Sequence, residues 1–207
     1  ASGVSPDAIH VTGNPVIDAL HMAVEMPFDL ESSPLAGIPW EKKIILVTTH
    51  RRENFGRPLE NICAALKKIA QRYQDEVHLV YPVHPNPRVL EVIYPALGGI
   101  ANISLIDPLD YLPMVQLMKR SHLVLTDSGG IQEETSYLGI PCITLRNNTE
   151  RPITVTEGTN RLCNLANVGN AIADVLSNGH LGKKVPELWD GKTAARLADD
   201  IHARFTG

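Results

Sequence analysis

The chain has 207 residues, 43% hydrophobic, 5% aromatic and 20% charged, with a formal net charge of −4. That length accommodates one large domain or two very small ones, with a substantial buried core. A mildly acidic balance with scattered Lys and Arg argues against a nucleic-acid face, and apolar runs such as Ile44–Val47 are far too short to span a membrane.

The opening stretch is the least regular. Ile9–Thr12 reads as a strand and Asn14–Val24 as a helix, while Met26–Trp40, broken by prolines and glycine, reads as an irregular wrap. Residues 1–40 are therefore expected to pack as a connecting and wrapping segment on a domain formed by 41–207. Ile44–Val47 is a β-branched apolar run, the mark of a strand buried on both faces. Pro58, followed by Leu59, Ile62, Leu66 and Ile69, predicts a helix with proline in its first turn. Val77–Val80 is the next strand, Pro87–Leu97 a helix, Ile103–Ile106 a third strand and Tyr111–Arg120 a helix. His122–Thr126 is a fourth strand running into Asp127-Ser128-Gly129-Gly130, where a short helix starts. Cys142–Leu145 and a weaker Arg161–Leu165 complete the strands, and helices over Val168–Ser177 and Lys192–Phe205 end the chain. This β-α-β-α succession predicts an α/β fold, a doubly wound, Rossmann-like parallel sheet with helices on both faces. Ligands of such sheets bind beyond the C-terminal strand ends, here the loops after Val47, Val80, Ile106, Thr126 and Leu145.

Cys63, Cys142 and Cys163 form no C-x-x-C pair and read as reduced apolar side chains in a cytoplasmic protein. No signal-peptide pattern opens the chain. The other histidines share no ligand spacing, so no metal is assigned, and neither the dinucleotide nor the P-loop fingerprint is present. No cofactor is expected.

Three polar clusters follow strands. Thr49-His50-Arg51-Arg52-Glu53-Asn54 supplies an imidazole for hydrogen bonding or proton transfer, and guanidiniums that suit anions; it also reads as a solvated loop with internal ion pairs. Asp127-Ser128-Gly129-Gly130-Ile131-Gln132-Glu133-Glu134 offers a close backbone approach and a helix N-terminus to an anion, with the Ser128 hydroxyl as a further donor. Glu134, one turn in, can accept from ribose hydroxyls. The plain alternative is a tight turn with Ser128 as helix cap. In Arg146-Asn147-Asn148-Thr149-Glu150-Arg151-Pro152, Arg151 either clamps a diphosphate or holds the loop through Glu150. Pro82-Val83-His84-Pro85-Asn86-Pro87 is a proline-stiffened loop in which His84 reads as structural.

Together these clusters, with Gly13-Asn14-Pro15-Val16-Ile17-Asp18, resemble the non-hydrolysing UDP-N-acetylglucosamine 2-epimerases over Gly13 to about Leu176. The resemblance implies the C-terminal half of a GT-B-type enzyme of two Rossmann-like domains. It fits a chain that opens Ala1-Ser2-Gly3 without Met. Expected partners are UDP, UDP-N-acetyl-hexosamines, the N-terminal domain of the same enzyme and, at full length, a second copy. His50 is implied in turnover at the diphosphate–sugar junction. Ser128, Gly129 and Gly130 are implied to hold the phosphate and Glu134 the ribose, Arg151 to contact the nucleotide, Leu109 and Met114 to lie in the segment that frames the uracil, and Arg51 to bind substrate. His84 matches a position that helps bind a second UDP-sugar as activator in some bacterial members. Departures are Met114, where an aromatic is common, Ile153 for Glu in T-E-R-P-E, and Leu162-Cys163-Asn164 for L-V-G. The implied reaction is anti elimination of UDP to 2-acetamidoglucal and syn re-addition, linking the GlcNAc and ManNAc forms in bacterial polysaccharide synthesis. Alternatives using the same half are a GT-B UDP-glycosyltransferase, a hydrolysing epimerase, and a non-catalytic UDP-sugar sensor.

Overall fold

A computed structural model describes residues 3–49, 51, 55–179 and 184–206. Six parallel strands form one sheet in the order β3-β2-β1-β4-β5-β6. They are β1 (Lys43–Thr48), β2 (Val77–Pro82), β3 (Ile103–Ile106), β4 (Leu123–Thr126), β5 (Cys142–Thr144) and β6 (Asn160–Leu162). The helices are α1 (Pro15–Glu25), α2 (Arg57–Arg72), α3 (Pro87–Leu97), α4 (Tyr111–Arg120), α5 (Gly129–Leu138), α6 (Pro152–Thr156), α7 (Val168–Asn178) and α8 (Thr193–Thr206).

Strand side chains alternate between two apolar layers, which is why β1 carries an unbroken apolar run. Ile45 and Val47 face α2, α3 and α7, against Leu59, Leu66, Ile93 and Ile172. Ile44 and Leu46 face the other way, against Leu117 and Met118 of α4 and Leu35 and Ile38 of the 26–40 stretch. That stretch is irregular, as its prolines dictate, yet it is part of the core: Leu35 is wholly buried. A third cluster joins Ile17 and Leu20 of α1 to Val115 and Trp189.

Three expectations need correction. Ile9–Thr12 is not a strand; Ile9 and Val11 are exposed, and the segment pairs with no strand among the described residues. Instead Pro6–Ala8 forms one 3₁₀ turn. The sixth strand spans Asn160–Leu162 rather than Arg161–Leu165. Cys163 N–H still donates to Thr144 O at 2.9 Å, and then Asn164 Oδ1 accepts from Asn167 N–H at 3.1 Å, turning the chain into α7. Finally, the loop after β5 contains α6, started by Pro152 in the first turn and held by the Thr154 hydroxyl on Arg151 O at 2.7 Å.

Among the described residues no helix is long and apolar enough to cross a membrane, and no group of three His, Cys, Asp or Glu could hold a metal. The three cysteines are free and buried, and burial pushes the Cys63 and Cys142 thiols up to about 11.

Candidate functional site

Strand order fixes where a ligand can sit. β1 and β4 are neighbours, and from their C-terminal ends the chain leaves to opposite faces, into α2 and α5. The crevice opened by that divergence is the topological switch point.

Its floor is stitched by short polar contacts. Thr48 pairs with Thr126 in register, and their hydroxyls lie 2.9 Å apart. Asp127, fully buried, donates its N–H to Thr48 O at 3.2 Å and accepts from Arg51 N–H on Oδ2 at 3.0 Å. Across β2, the Thr49 and Tyr81 hydroxyls are also hydrogen-bonded. The two loops are thus locked together before any ligand arrives.

Ser128 occupies the N-cap of α5, but its hydroxyl makes no cap bond; its N–H donates to Thr126 Oγ1 at 3.0 Å. Reading Ser128 as an ordinary cap therefore fails, and the first-turn N–H groups of α5, which lack intrahelical acceptors, keep their anion-binding character. A Cβ placed on Gly129 would lie 3.8 Å from Arg151 Cγ and 4.0 Å from Arg51 Nη2, in ordinary contact with both. Two arginine side chains therefore pass the helix N-terminus at Gly129, and Gly130 is exposed beside it.

The arginines have distinct acidic partners. Arg151 Nε lies 2.9 Å from Glu133 Oε1. Glu150 is instead gripped by both amino groups of Arg146, at 2.8 and 2.9 Å, with Arg51 Nη1 at 3.7 Å. Of the alternative in which Arg151 holds the loop through Glu150, the structure shows a backbone contact, Glu150 O accepting from Arg151 Nη1 at 3.4 Å, while the Glu150 carboxylate is taken by Arg146. Hydrogen bonds from Arg146, aided by the nearby Arg51 charge, hold the Glu150 carboxyl down at about 2.

Glu134 is buried on α5, where burial pushes its carboxyl up to about 7; the Tyr111 hydroxyl opposes this by donating to it, and the Glu133 charge adds to it. Burial and Glu134 together raise the Tyr111 phenol to about 12. Tyr111 is the first residue of α4, so Glu134 bridges α5 to the helix that carries Met114.

A cleft of about 230 Å³ at the switch point is lined by His84, Leu109, Met114 and Ser128, with Thr49 and Ile131 among its other walls. His84 Nδ1 accepts from Asn86 N–H at 3.2 Å. The structure brings these four candidates into one cleft and places Arg51, Gly129, Gly130 and Arg151 at its α5 end. Glu134 lies one turn deeper along α5. His50, and with it Arg52, Glu53 and Asn54 of the same motif, lies outside the described residues. A larger groove, about 580 Å³ between α2 and α7, contains none of these residues.

Several positioning residues were not singled out in the sequence. Gln132 Oε1 accepts from the Thr149 hydroxyl at 2.6 Å and from Asn160 Nδ2 at 3.0 Å, and Asn160 Oδ1 accepts from the Thr144 hydroxyl at 2.7 Å. This buried network ties the 146–151 loop to α5, although Gln132 Nε2 finds no partner among the described residues. Glu133 lies in the D-S-G-G-I-Q-E-E stretch and Tyr111 at the start of the 111–120 helix, but neither pairing has a periodicity that announces it.

A model of the UDP-N-acetylglucosamine 2-epimerase family matches residues 1–202. The Escherichia coli K12 protein named UDP-N-acetylglucosamine 2-epimerase is 50% identical over 165 residues, 77% of this chain and 44% of that protein. The crystal structure of the Neisseria meningitidis UDP-GlcNAc 2-epimerase bound to UDP-GlcNAc superimposes with a TM-score of 0.81 at 33% identity, covering 97% of this chain and 57% of that one. S. aureus MnaA, solved with UDP, gives 0.84 at 35% identity, covering 99% and 55%. The chain thus spans about half the length of the relatives it matches. With a near-complete family match and the D-S-G-G-I-Q-E-E helix start at the switch point, the chain belongs to the UDP-N-acetylglucosamine 2-epimerase family.

Proposed function

We propose that this chain is the UDP-binding half of an enzyme that interconverts UDP-GlcNAc and UDP-ManNAc by eliminating UDP and adding it back. The observation that carries the reading is the convergence of Arg51 and Arg151 on Gly129, at a helix N-terminus whose Ser128 hydroxyl is not spent on capping. Departing diphosphate needs fixed positive charge and oriented N–H donors, and this corner offers both. Ser128, Gly129 and Gly130 hold phosphate oxygens, with Arg51 and Arg151 beside them. Glu134 accepts from the ribose hydroxyls, and Leu109 and Met114 cover uracil. Met114 gives dispersion contact without ring stacking. His50 acts at the diphosphate–sugar junction, and His84 contributes to an activator site for a second UDP-sugar.

The proton at C2 of the sugar must be taken by a base across the cleft. We assign it to carboxylates of an opposing N-terminal domain, in a full-length enzyme that works as a homodimer in the cytoplasm. Relatives solved with UDP-GlcNAc and with UDP support the ligand class. The test is calorimetric titration of the 207-residue chain with UDP, UDP-GlcNAc, ADP and GDP, alongside a turnover assay. The expected result is binding of the two uridine ligands in preference to the purines, without epimerisation. Equal affinity for all four would overturn the uridine reading, and turnover of UDP-GlcNAc by this chain would overturn the assignment of the base to another domain.

A further inference from the structure

Glu133 sits where an anion site would be expected to exclude it. Its side chain is only 11% exposed, it neighbours the arginine proposed to bind diphosphate, and its charge opposes any phosphate bound there. The geometry gives it a use. One oxygen, Oε1, is taken by both Arg151 Nε at 2.9 Å and Asn14 Nδ2 at 3.1 Å. The orientation of the Asn14 amide is itself fixed, because its Oδ1 accepts from Val16 N–H at 3.1 Å as the N-cap of α1. Its amino group is therefore left to point at Glu133.

Glu133 takes Arg151 through Nε, and of the terminal amino groups Nη1 makes only a long bond to Glu150 O at 3.4 Å, so the outer end of the guanidinium is the part that can meet an anion. The Nε contact also fixes the stem of a long side chain that would otherwise lose conformational freedom on binding. That stem passes Gly129, where a Cβ would lie 3.8 Å from Arg151 Cγ.

We propose that Glu133 is a positioning residue for Arg151, and that Asn14, at the start of α1, in turn holds Glu133. The proposal rests on reading Arg151 as a diphosphate ligand, and its test separates the two. A bystander carboxylate near a diphosphate weakens binding by repulsion, so neutralising it must tighten UDP. A positioning carboxylate behaves oppositely. The sign of the change decides.

The experiment is calorimetric titration of UDP and of uridine into the 207-residue chain and its E133Q, R151A and E133Q/R151A variants, with melting temperatures as a folding control. E133Q is expected to weaken UDP about tenfold, near the lower end of what one charge-assisted hydrogen bond carries, and to leave uridine unchanged. The double variant is expected to bind UDP no more weakly than R151A alone, because both changes remove the same contact. Unchanged or tighter UDP binding by E133Q, or losses that multiply in the double variant, would overturn the positioning role. If R151A weakens UDP and uridine equally, the diphosphate reading itself fails and the proposal with it. Asn14→Ser keeps a capping oxygen and removes the donor to Glu133. A few-fold loss of UDP at unchanged melting temperature supports the link to α1, and no loss overturns it.

Discussion

At the residue scale, Glu134 is the group whose state matters most near neutrality. Burial holds its carboxyl at about 7, against an ordinary 4.5, with the Tyr111 hydroxyl resisting that rise. In the unfolded chain Glu134 ionises first. Its contribution to stability is therefore complete below pH 4.5, is lost progressively as the pH climbs to 7, and is absent above. At 1.36 kcal/mol per unit, the loss is roughly 3 kcal/mol. Glu134→Gln, which cannot ionise, is expected to be more stable than the parent at pH 8, by an amount that shrinks toward zero as the pH falls to 4.5. Denaturant titrations at the two pH values check this, and a gap independent of pH would count against it. The same carboxyl gives a binding signature. Ribose hydroxyls donating to it favour the ionised form, so UDP binding near pH 6.5 should release a fraction of a proton. Calorimetry in buffers of different ionisation enthalpy measures that release, and Glu134→Gln should abolish it.

At the element scale, what the sequence makes legible is what local pattern controls. β1 is readable because a strand buried on both faces is continuously apolar, β2 because Leu79 and Val80 carry most of that signal around a buried His78, and α2 because Pro58 and the 59-62-66-69 spacing mark its start and its inward face. Ile9–Thr12 carries the same β-branched signal without a neighbour to pair with, and pairing is not a local property. The wrap shows the converse. Its prolines announce irregular backbone, but not that Leu35 and Ile38 seal the Ile44 and Leu46 face. Leu35→Ala should therefore cost about 2–5 kcal/mol, the range for emptying a core leucine site. A cost below 1 kcal/mol in urea unfolding would mean that the wrap lies loosely on the sheet. The candidate site divides in the same way. Its phosphate end is legible, because glycines between a strand and a helix have a local meaning. The pairing of Arg151 with Glu133 rather than with its sequence neighbour Glu150 is not, because it depends on how α6 and α5 cross.

At the scale of the whole molecule, the two ends of the chain close on each other. Asp18 on α1 accepts from Thr193 N–H at 3.1 Å and Ala194 N–H at 2.7 Å, capping α8 from 175 residues away. Arg196 returns the contact to Thr12 O at 3.3 Å, and His10 Nδ1 lies 2.8 Å from Asp200. Gly13, at φ 121°, completes the join: a Cβ there would come within 2.5 Å of the Thr193 hydroxyl and 2.7 Å of Leu188 O. The Gly13-to-Asp18 motif thus has a structural reason for each of four residues: Gly13 for the close approach, Asn14 for the α1 cap and Glu133, Pro15 for the first turn, and Asp18 for α8. Because α1 also packs on α4 and α5, residues 3–40 cannot leave without opening the layer beneath the candidate site. The chain should accordingly unfold as one unit, with far-ultraviolet circular dichroism and the fluorescence of Trp189, read in a Trp40→Phe background, changing together. Asp18→Ala should lower that single transition by about 0.5–2 kcal/mol, the usual worth of a cap. If it instead separates the two signals, with fluorescence changing first, α1 and α8 form a subunit of stability that can detach from the sheet while the sheet stays folded.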